Sequence, residues 1–370
     1  MVNLLPPMHW ITDLVVVPIG LIALPLVATG SAVCRTVSWM FTRRVKPRGK
    51  AIVITGASSG IGEHIAYEYA KAGGKLILAA RRVDNLNAVA DACREKGAME
   101  VEVVAADVAK EDDCQKIIQT AVDKYGGVDI LVNNAGVLQS FEFEQLKDLK
   151  AARQLMDIDF FGNVWPTYYA IPHLTKSRGQ VIVNSSMAAF LPHPRQAFYN
   201  AAKAALFKFY DDLRTEPFGR SVAITIATPG VISSELTEGK FVNETGECVW
   251  DEGRPEVHFG PMLSSRIKTE VAAKGIVAGA SKRQRYVVVP AYFNIFALYR
   301  FFAPGATDNV LHRIMYRSER PGKSLTGRLA CKLGLRSSAG SSEAGEGEET
   351  AAAAAEGTVP ETSGEEKKEA

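Results

Sequence analysis

The sequence has few cysteines, and no two of them lie close together along the chain. The five, Cys34, Cys93, Cys114, Cys248 and Cys331, form an odd and widely spread set with no C-x-x-C, and the six histidines include no H-E-x-x-H. These absences exclude a disulfide framework and a zinc ribbon. We therefore predict no metal site and a reducing environment for the chain.

A strong excess of charge is also missing. The 43 basic and 41 acidic residues leave a net charge of +2, which gives no basis for nucleic-acid binding. The charge is unevenly distributed along the chain. Residues 337–370 carry a net charge of −7, so residues 1–336 carry +9. Apolar residues make up 47% of the chain, which excludes wholesale disorder.

Residues 14–34 lack any charged side chain. As a helix they would reach about 31 Å, the thickness of the hydrocarbon core of a bilayer. Pro18 and Pro25 leave two shapes open, a kinked span and a hairpin that returns to the same surface. Six basic residues follow within 35–50, which predicts that the rest of the chain faces the cytosol. We predict that residues 1–44 form a membrane anchor with its basic flank.

The C-terminal part differs from the rest in composition. Residues 291–303 are apolar and aromatic, and either core packing or a membrane contact accounts for them. Residues 320–336 carry five basic residues and no acid, typical of a segment on an anionic membrane or of a solvated connector. We predict a C-terminal extension over 291–336 and a disordered, acidic, low-complexity tail over 337–370.

Between residues 49 and 290, seven short apolar runs alternate with longer segments of helical period. The runs are 51–55, 75–80, 100–107, 128–134, 179–186, 221–230 and 286–290. They are rich in Val and Ile with little polar alternation, which is typical of strands buried on both faces of a parallel sheet. Crossover helices fit the segments between them, such as 61–72, 111–125, 147–176 and 198–216. We predict one α/β domain over 45–290, a Rossmann-type doubly wound sheet of seven parallel strands.

A glycine-rich turn follows the first run. Residues 55–62 read T-G-A-S-S-G-I-G, so the backbone can approach a pyrophosphate and the N–H groups of the next helix can bind the anion. This spacing resembles the short-chain dehydrogenase/reductase superfamily. Further motifs of that family follow in order within residues 48–290: Asp107-Val108, Asn133-Asn134-Ala135-Gly136, Ser186, Tyr199-x-x-x-Lys203 and Pro229-Gly230.

The resemblance implies a nicotinamide dinucleotide cofactor. The residues expected to bind it are Gly56, Ser58, Ser59, Gly60, Ile61, Gly62, Arg81, Arg82, Asp107, Val108, Asn133, Ala135, Tyr199, Lys203, Pro229 and Ile232. An NAD-binding unit normally ends its second strand with an acid, whereas this strand ends in Arg81 and Arg82. Because a guanidinium matches a phosphate and a carboxylate repels one, the sequence favours NADP(H).

The resemblance implies three catalytic residues, Ser186, Tyr199 and Lys203. Tyr199 would donate or accept the proton, and Ser186 would orient the substrate oxygen. Lys203 would lower the pKa of Tyr199 and bind the nicotinamide ribose. Lys203 follows Tyr199 by one helical turn. A unit charge about 4 Å away at an effective dielectric near 20 is worth roughly 4 kcal/mol, or about three pKa units. We therefore expect Lys203 to bring the pKa of Tyr199 near neutrality. The thirteen-residue spacing to Tyr199 selects Ser186 over Ser185.

One position departs from the family pattern. Where the family usually has an asparagine in the helix after the fourth strand, this chain has Asp159. An ionised aspartate accepts hydrogen bonds but cannot donate them, so the proton relay attributed to that asparagine is not expected in its usual form. The backbone carbonyl of Asp159 and the side chain of Asn163 are the candidates to replace it.

Two longer stretches, 62–70 and 286–304, together with the proline-containing apolar N terminus, resemble plant steroleosins, lipid-droplet relatives of 11-beta-hydroxysteroid dehydrogenases. The resemblance implies a membrane-associated, NADP(H)-dependent enzyme that interconverts a secondary alcohol and a ketone on a lipophilic, sterol-like substrate. It also implies a location on a lipid droplet or the endoplasmic reticulum, and it allows a homodimer. The alternatives are the same chemistry on a retinoid or long-chain keto base, and a droplet-surface protein whose catalysis has lapsed.

Overall fold

The computed structural model describes residues 29–30, 44–251 and 266–317. Nearly all of the predicted anchor, the basic stretch 320–336 and the acidic tail lie outside the described residues. Within the described ranges, no helix combines the length and the apolar character needed to cross a membrane.

The predicted sheet of seven parallel strands is confirmed. Its strands are β1 Ala51–Thr55, β2 Lys75–Ala80, β3 Glu100–Ala105, β4 Ile130–Asn133, β5 Gln180–Asn184, β6 Ala223–Pro229 and β7 Tyr286–Val289. Their order across the sheet is β7-β6-β5-β4-β1-β2-β3, and all neighbours pair in parallel. The order reverses between β1 and β4, which is where open sheets of this kind bind ligands.

Ten α-helices lie in the ranges 44–251 and 266–317. They are α1 Gly60–Lys71, α2 Val83–Glu95, α3 Glu111–Tyr125, α4 Leu149–Met156, α5 Gly162–Ser177, α6 Ala197–Leu213, α7 Pro217–Ser221, α8 Thr269–Ser281, α9 Phe293–Phe302 and α10 Pro304–Arg317. Ile52 and Ile54 pack with α1, α2 and α8 on one face of the sheet, whereas Val53 packs with α3, α5 and α6 on the other. Because alternate side chains of a strand point to opposite faces, both faces are buried.

The helix predicted over 147–176 is divided. α4 and α5 are joined by a π-helical turn at Asp157–Phe161, a feature that is frequent at functional sites. Gly162 then packs against Val108, where an added Cβ would come within 2.8 Å of the valine side chain. The turn therefore lies close to the end of the β-sheet, and it carries Asp159.

Two segments outside the main sheet border its carboxyl edge. After β6, short strands pair Ile232–Ser233 with Ile267–Lys268, and Lys240–Val242 with Cys248–Trp250. α9 begins at the buried Phe293, whose ring lies so near Gly230 that an added Cβ would come within 2.2 Å of it. The other end of α9 is exposed, with Phe301 at 79% and Phe302 at 74%. Of the two interpretations of 291–303, core packing holds at Phe293, the one buried residue among those of this stretch whose burial the structure describes.

Candidate active site

The phosphate-loop motif forms a tight turn between β1 and α1. Gly56 has φ +64°, and a Cβ there would lie 2.8 Å from the Cα of Ala135, so only glycine fits. Asn134 Nδ2 donates to the carbonyls of Thr55 (3.2 Å) and Gly56 (3.1 Å). The segment after β4 therefore holds the turn in place.

One cleft extends along the carboxyl edge of the sheet. The predicted cofactor residues that line it are Gly56, Ser58, Ser59, Gly60, Ile61, Arg81, Arg82, Asp107, Val108, Ala135, Tyr199, Lys203, Pro229 and Ile232. Arg81 and Arg82 follow β2 and the glycine turn follows β1, whereas Tyr199 and Lys203 lie on α6 beside the segments that follow β4 and β5. These residues fit a dinucleotide, whose phosphates the glycine turn would hold.

Two predicted cofactor residues do not line this cleft. Gly62 packs beneath the turn, where a Cβ would come within 2.3 Å of the Gly56 carbonyl oxygen. Asn133 is fully buried, and its Nδ2 donates to Thr167 Oγ1 (2.7 Å) and to the Tyr210 hydroxyl (2.9 Å). Both residues therefore pack in the interior next to the site and do not face the cleft. The lining positions are the neighbouring Asn134 and Gly136.

Arg82 connects the phosphate loop to the segment after β6. Its guanidinium donates to Ser59 Oγ (2.7 Å) and to Glu235 Oε1 (2.8 Å), while Lys240 Nζ lies 2.9 Å from Glu235 Oε2. Burial raises the pKa of Glu235, but the hydrogen bonds from Arg82 and Lys240 outweigh it and lower the pKa below its ordinary value. Sequence reasoning missed Glu235 and Lys240, because no local pattern relates them to an arginine more than 150 residues earlier.

α6 carries the predicted proton donor. Gln139, fully buried, accepts through Oε1 from the backbone N–H groups of Phe198 (2.8 Å) and Tyr199 (3.2 Å), so it satisfies two N–H groups of the first helical turn. Tyr199 lines the cleft, and the buried Lys203 places its Nζ 5.6 Å from the centre of the Tyr199 ring. Sequence reasoning also missed Gln139, which has no motif around it.

The two serines after β5 are in different positions. Ser185 is buried, and its Oγ donates to the Lys203 carbonyl at 3.0 Å. Ser186 is partly exposed on the cleft, where its Oγ accepts from the N–H of Ala188 (3.1 Å). Ser185 therefore supports α6, and Ser186 presents a hydroxyl to the cleft beside Tyr199.

The expected lowering of the Tyr199 pKa is not found. Burial raises the pKa of Tyr199, and the lowering by Lys203 is opposed by Asp159. Burial is the largest cause. Asp159 adds to it, because its Oδ1 lies 3.1 Å from Lys203 Nζ and its negative charge offsets part of the effect of the ammonium on the phenol. The two groups predicted to replace the relay, the Asp159 carbonyl and the Asn163 side chain, are bonded to each other. The Asp159 carbonyl accepts from Asn163 Nδ2 at 2.9 Å, and Asn163 is fully buried.

Comparison with known proteins agrees with this geometry. Residues 50–245 match a family described as short chain dehydrogenase. The chain belongs to the short-chain dehydrogenase family. It is thus an oxidoreductase, as the motifs predicted.

Several relatives of this short-chain dehydrogenase are plant proteins. An 11-beta-hydroxysteroid dehydrogenase of Pinus massoniana is 45% identical over 305 residues, covering 81% of this chain and 84% of the relative. The 11-beta-hydroxysteroid dehydrogenase A of Sesamum indicum is 45% identical over 275 residues, covering 74% and 77%. Among solved structures, a short-chain dehydrogenase/reductase from Burkholderia phymatum in complex with NAD has a TM-score of 0.62 at 22% identity, over 71% of this chain and 96% of that chain. That last likeness supports the fold alone.

Proposed function

We propose that this short-chain dehydrogenase is a membrane-associated, NADP(H)-dependent enzyme that interconverts a secondary alcohol and a ketone on a lipophilic, sterol-like substrate. The observation that carries the proposal is that one cleft is lined both by Arg81 and Arg82 and by Ser186, Tyr199 and Lys203. The names of the plant relatives support a steroid-like substrate.

The side chains at the Tyr199 end account for the proton in this reaction. When bound, the reduced nicotinamide supplies a hydride. As a new C–H bond forms at the carbonyl carbon, the π electrons of the C=O bond move to oxygen, and the Tyr199 hydroxyl donates its proton to that oxygen. The Ser186 hydroxyl is placed to hydrogen-bond the same oxygen, and the Lys203 ammonium stabilises the phenolate that remains until solvent reprotonates it.

The residues at the other end support NADP(H) over NAD(H). β2 ends without an acid, and Arg81 and Arg82 both line the cleft beside Ser58 and Ser59. These side chains offer guanidinium and hydroxyl donors, which suit the phosphate ester that distinguishes NADP(H). Glu235 pairs with Arg82 and offsets part of its charge. Arg81 then supplies a second positive charge for the phosphate.

Arg81→Ala and Arg82→Ala are each expected to weaken NADPH binding by about 10- to 100-fold, because each loses a charge-assisted contact worth roughly 1.5–3 kcal/mol. NADH binding should change little. Fluorescence titration of the two cofactors measures both constants. Arg94→Ala, which removes an exposed arginine of α2 paired with Asp91, is the matched control. Equal losses for NADPH and NADH, or a wild-type preference for NADH, would contradict the assignment.

The exposed end of α9 supports membrane association. Ile295, Tyr299, Phe301 and Phe302 are all more than half exposed, whereas Phe293 fixes the start of the helix at Gly230 beside the catalytic cleft. Burying such side chains in a lipid interface is favourable. A lipophilic substrate would then reach the cleft from the membrane. Together with the uncharged run 14–34, this supports a location on the cytosolic face of a lipid droplet or the endoplasmic reticulum. A homodimer stays a prediction.

Replacing Phe301 and Phe302 together by serine is expected to weaken binding to phospholipid vesicles several-fold in the chain that lacks residues 1–44, since two exposed rings no longer enter the interface. Vesicle co-sedimentation measures this. Phe143→Ser removes an aromatic ring of similar exposure elsewhere and should have no effect. If the double variant and the control bind alike, α9 is not the contact.

Residues 1–50 should carry a fluorescent reporter to droplets or the endoplasmic reticulum by themselves.

The decisive test of the whole proposal is NADPH consumption by the purified protein with a panel of steroid, retinoid and long-chain keto carbonyls. Turnover of the steroid ketones above the other two classes is expected. Preference for a retinoid or a keto base would keep the chemistry and change the substrate. No turnover of any carbonyl, with NADPH binding intact, would overturn the enzymatic assignment in favour of a surface protein whose catalysis has lapsed.

A further inference from the structure

Asp159 is buried directly beneath the catalytic lysine. Its side chain is fully inaccessible, and Oδ1 lies 3.1 Å from Lys203 Nζ and accepts from the N–H of Val137 at 3.2 Å. Among the described residues, Oδ2 has no hydrogen-bond partner. A carboxylate without solvent and with one unmatched oxygen is held by its ion pair.

The surroundings keep Asp159 and Lys203 together. Gly136 lies against both side chains, since a Cβ there would come within 2.6 Å of Asp159 Oδ1 and 3.0 Å of Lys203 Nζ. Asn163 Nδ2 donates to the Asp159 carbonyl at 2.9 Å and fixes the π-helical turn that carries it. The Ser185 hydroxyl donates to the Lys203 carbonyl at 3.0 Å. The pair is therefore part of the packed interior.

The Asp159–Lys203 ion pair changes the electrostatic field at the Tyr199 hydroxyl. Within the described ranges, the charged groups that act on Tyr199 are Lys203, on its own helix, and Asp159, in the π-helical turn. The segment after β5 contributes Ser186, which carries no charge but lowers the pKa of Tyr199 through a side-chain hydrogen bond. Burial is the largest single effect and lowers the pKa of Lys203, but the charge and hydrogen bond of Asp159 and the charge of Tyr199 together outweigh it and raise the pKa. Lys203 therefore stays cationic, while part of its effect on the phenol is cancelled.

We propose that Asp159 is a positioning residue that binds the Lys203 ammonium and thereby keeps Tyr199 protonated through neutral pH. The inference rests on the proposed function, in which Tyr199 donates and accepts the proton. Carbonyl reduction needs the phenol, and alcohol oxidation needs the phenolate. Asp159 thus sets the pH at which reduction begins to fall and oxidation reaches its full rate. One ionisation controls both directions, so both profiles must move together.

Asp159→Asn tests this with an 11-keto steroid and the matching 11β-hydroxy steroid as probes. The variant keeps the shape and removes the charge. The midpoints of the kcat/KM profiles for reduction and oxidation should both move to lower pH by about 1 to 2 units, while the equilibrium constant between the two steroids stays the same. Asp157→Asn removes an acid two residues away that faces Arg153 at the surface, and its profiles should match those of the wild type.

A second measurement needs neither substrate nor cofactor. The ultraviolet absorbance of tyrosinate is titrated in the full chain, and the Tyr199 midpoint is the difference between each protein and its Tyr199→Phe counterpart. That midpoint should be lower in Asp159→Asn than in the wild type. Asp159→Ser, which also removes the charge, gives the same comparison if the asparagine variant does not fold.

The outcomes separate the two proposals. An unchanged Tyr199 midpoint in both charge-removing variants, or kinetic profiles that do not move, would overturn the role of Asp159 and leave the proposed function intact. A shifted midpoint without turnover of any steroid would support the role of Asp159 and count against the proposed substrate.

Discussion

Replacing Tyr199 by phenylalanine is expected to lower the turnover of carbonyl and alcohol substrates by about 10²- to 10⁴-fold, the usual contribution of a positioned acid–base group. The ring that lines the cleft stays in place, and the Asp159–Lys203 pair is untouched. NADPH affinity and thermal stability should therefore stay within a small factor of the wild type. The measurements are steady-state rates in both directions, a cofactor titration and a melting curve.

Tyr168→Phe is the matched control for that variant. Tyr168 is an exposed tyrosine on α5, so losing its hydroxyl should alter neither rate nor binding. A Tyr199→Phe enzyme that turns over a good substrate at the wild-type rate would show that another group supplies the proton. Loss of NADPH binding together with turnover would mean that the hydroxyl is needed for binding as well as for proton transfer.

Lys203→Met is expected to have the other large effect, and on stability as well as activity. Removing one partner of a buried ion pair leaves the other charge uncompensated, at a cost of roughly 3–5 kcal/mol in the free energy of unfolding. Burial already raises the pKa of Asp159, and the charge and hydrogen bond of Lys203 are the largest effects that oppose this. Turnover and NADPH affinity should fall as well, because the ammonium acts on the phenol and, in the family, on the nicotinamide ribose.

The stability loss in Lys203→Met should depend on pH in a definite direction. The pKa of Asp159 in the folded wild type is already raised by burial. Without Lys203 it rises further above the unfolded value, so folding of the variant takes up a proton over a wider pH range. The loss is then smallest below the ordinary aspartate range and grows as the pH rises toward the folded-state pKa. Denaturant unfolding at several pH values measures it. A pH-independent loss would mean that packing, and not the buried charge, is responsible.

The double variant Lys203→Met/Asp159→Asn separates stability from catalysis. It removes both charges, so most of the lost stability should return, while turnover stays low because the ammonium is still absent. If the double variant is no more stable than Lys203→Met, the two residues are not coupled as the structure indicates.

Local sequence was enough to predict the sheet. Each of the seven Val- and Ile-rich runs contains one observed strand, because a strand buried on both faces must be apolar along its length. The glycine turn was equally predictable, since Gly56 at φ +64° adopts a conformation that other residues rarely take. The choice of Ser186 over Ser185 also agrees with the structure, where only Ser185 is committed to the Lys203 carbonyl.

Tertiary structure alone decided which motif residues face the cleft. Asn133 and Asn134 are adjacent and chemically identical, yet one binds Thr167 and Tyr210 behind the sheet while the other lines the site. Neighbouring residues at the end of a strand point to opposite faces, and the sequence does not say which face is which. The cofactor contact predicted for Asn133 therefore does not fit its buried position, and Asn134 lines the cleft instead.

What the sequence determined by itself is the fold and the family, because these depend on short-range patterns of apolar residues and glycines. The Tyr199-x-x-x-Lys203 spacing predicted the proton-transfer residues. Only the tertiary structure decided the electrostatics of the site. Asp159 meets Lys203, and Glu235 meets Arg82, across 44 and 153 residues of chain. Coulomb interactions depend on distance in space and on burial, and neither is encoded in the local sequence around those four residues.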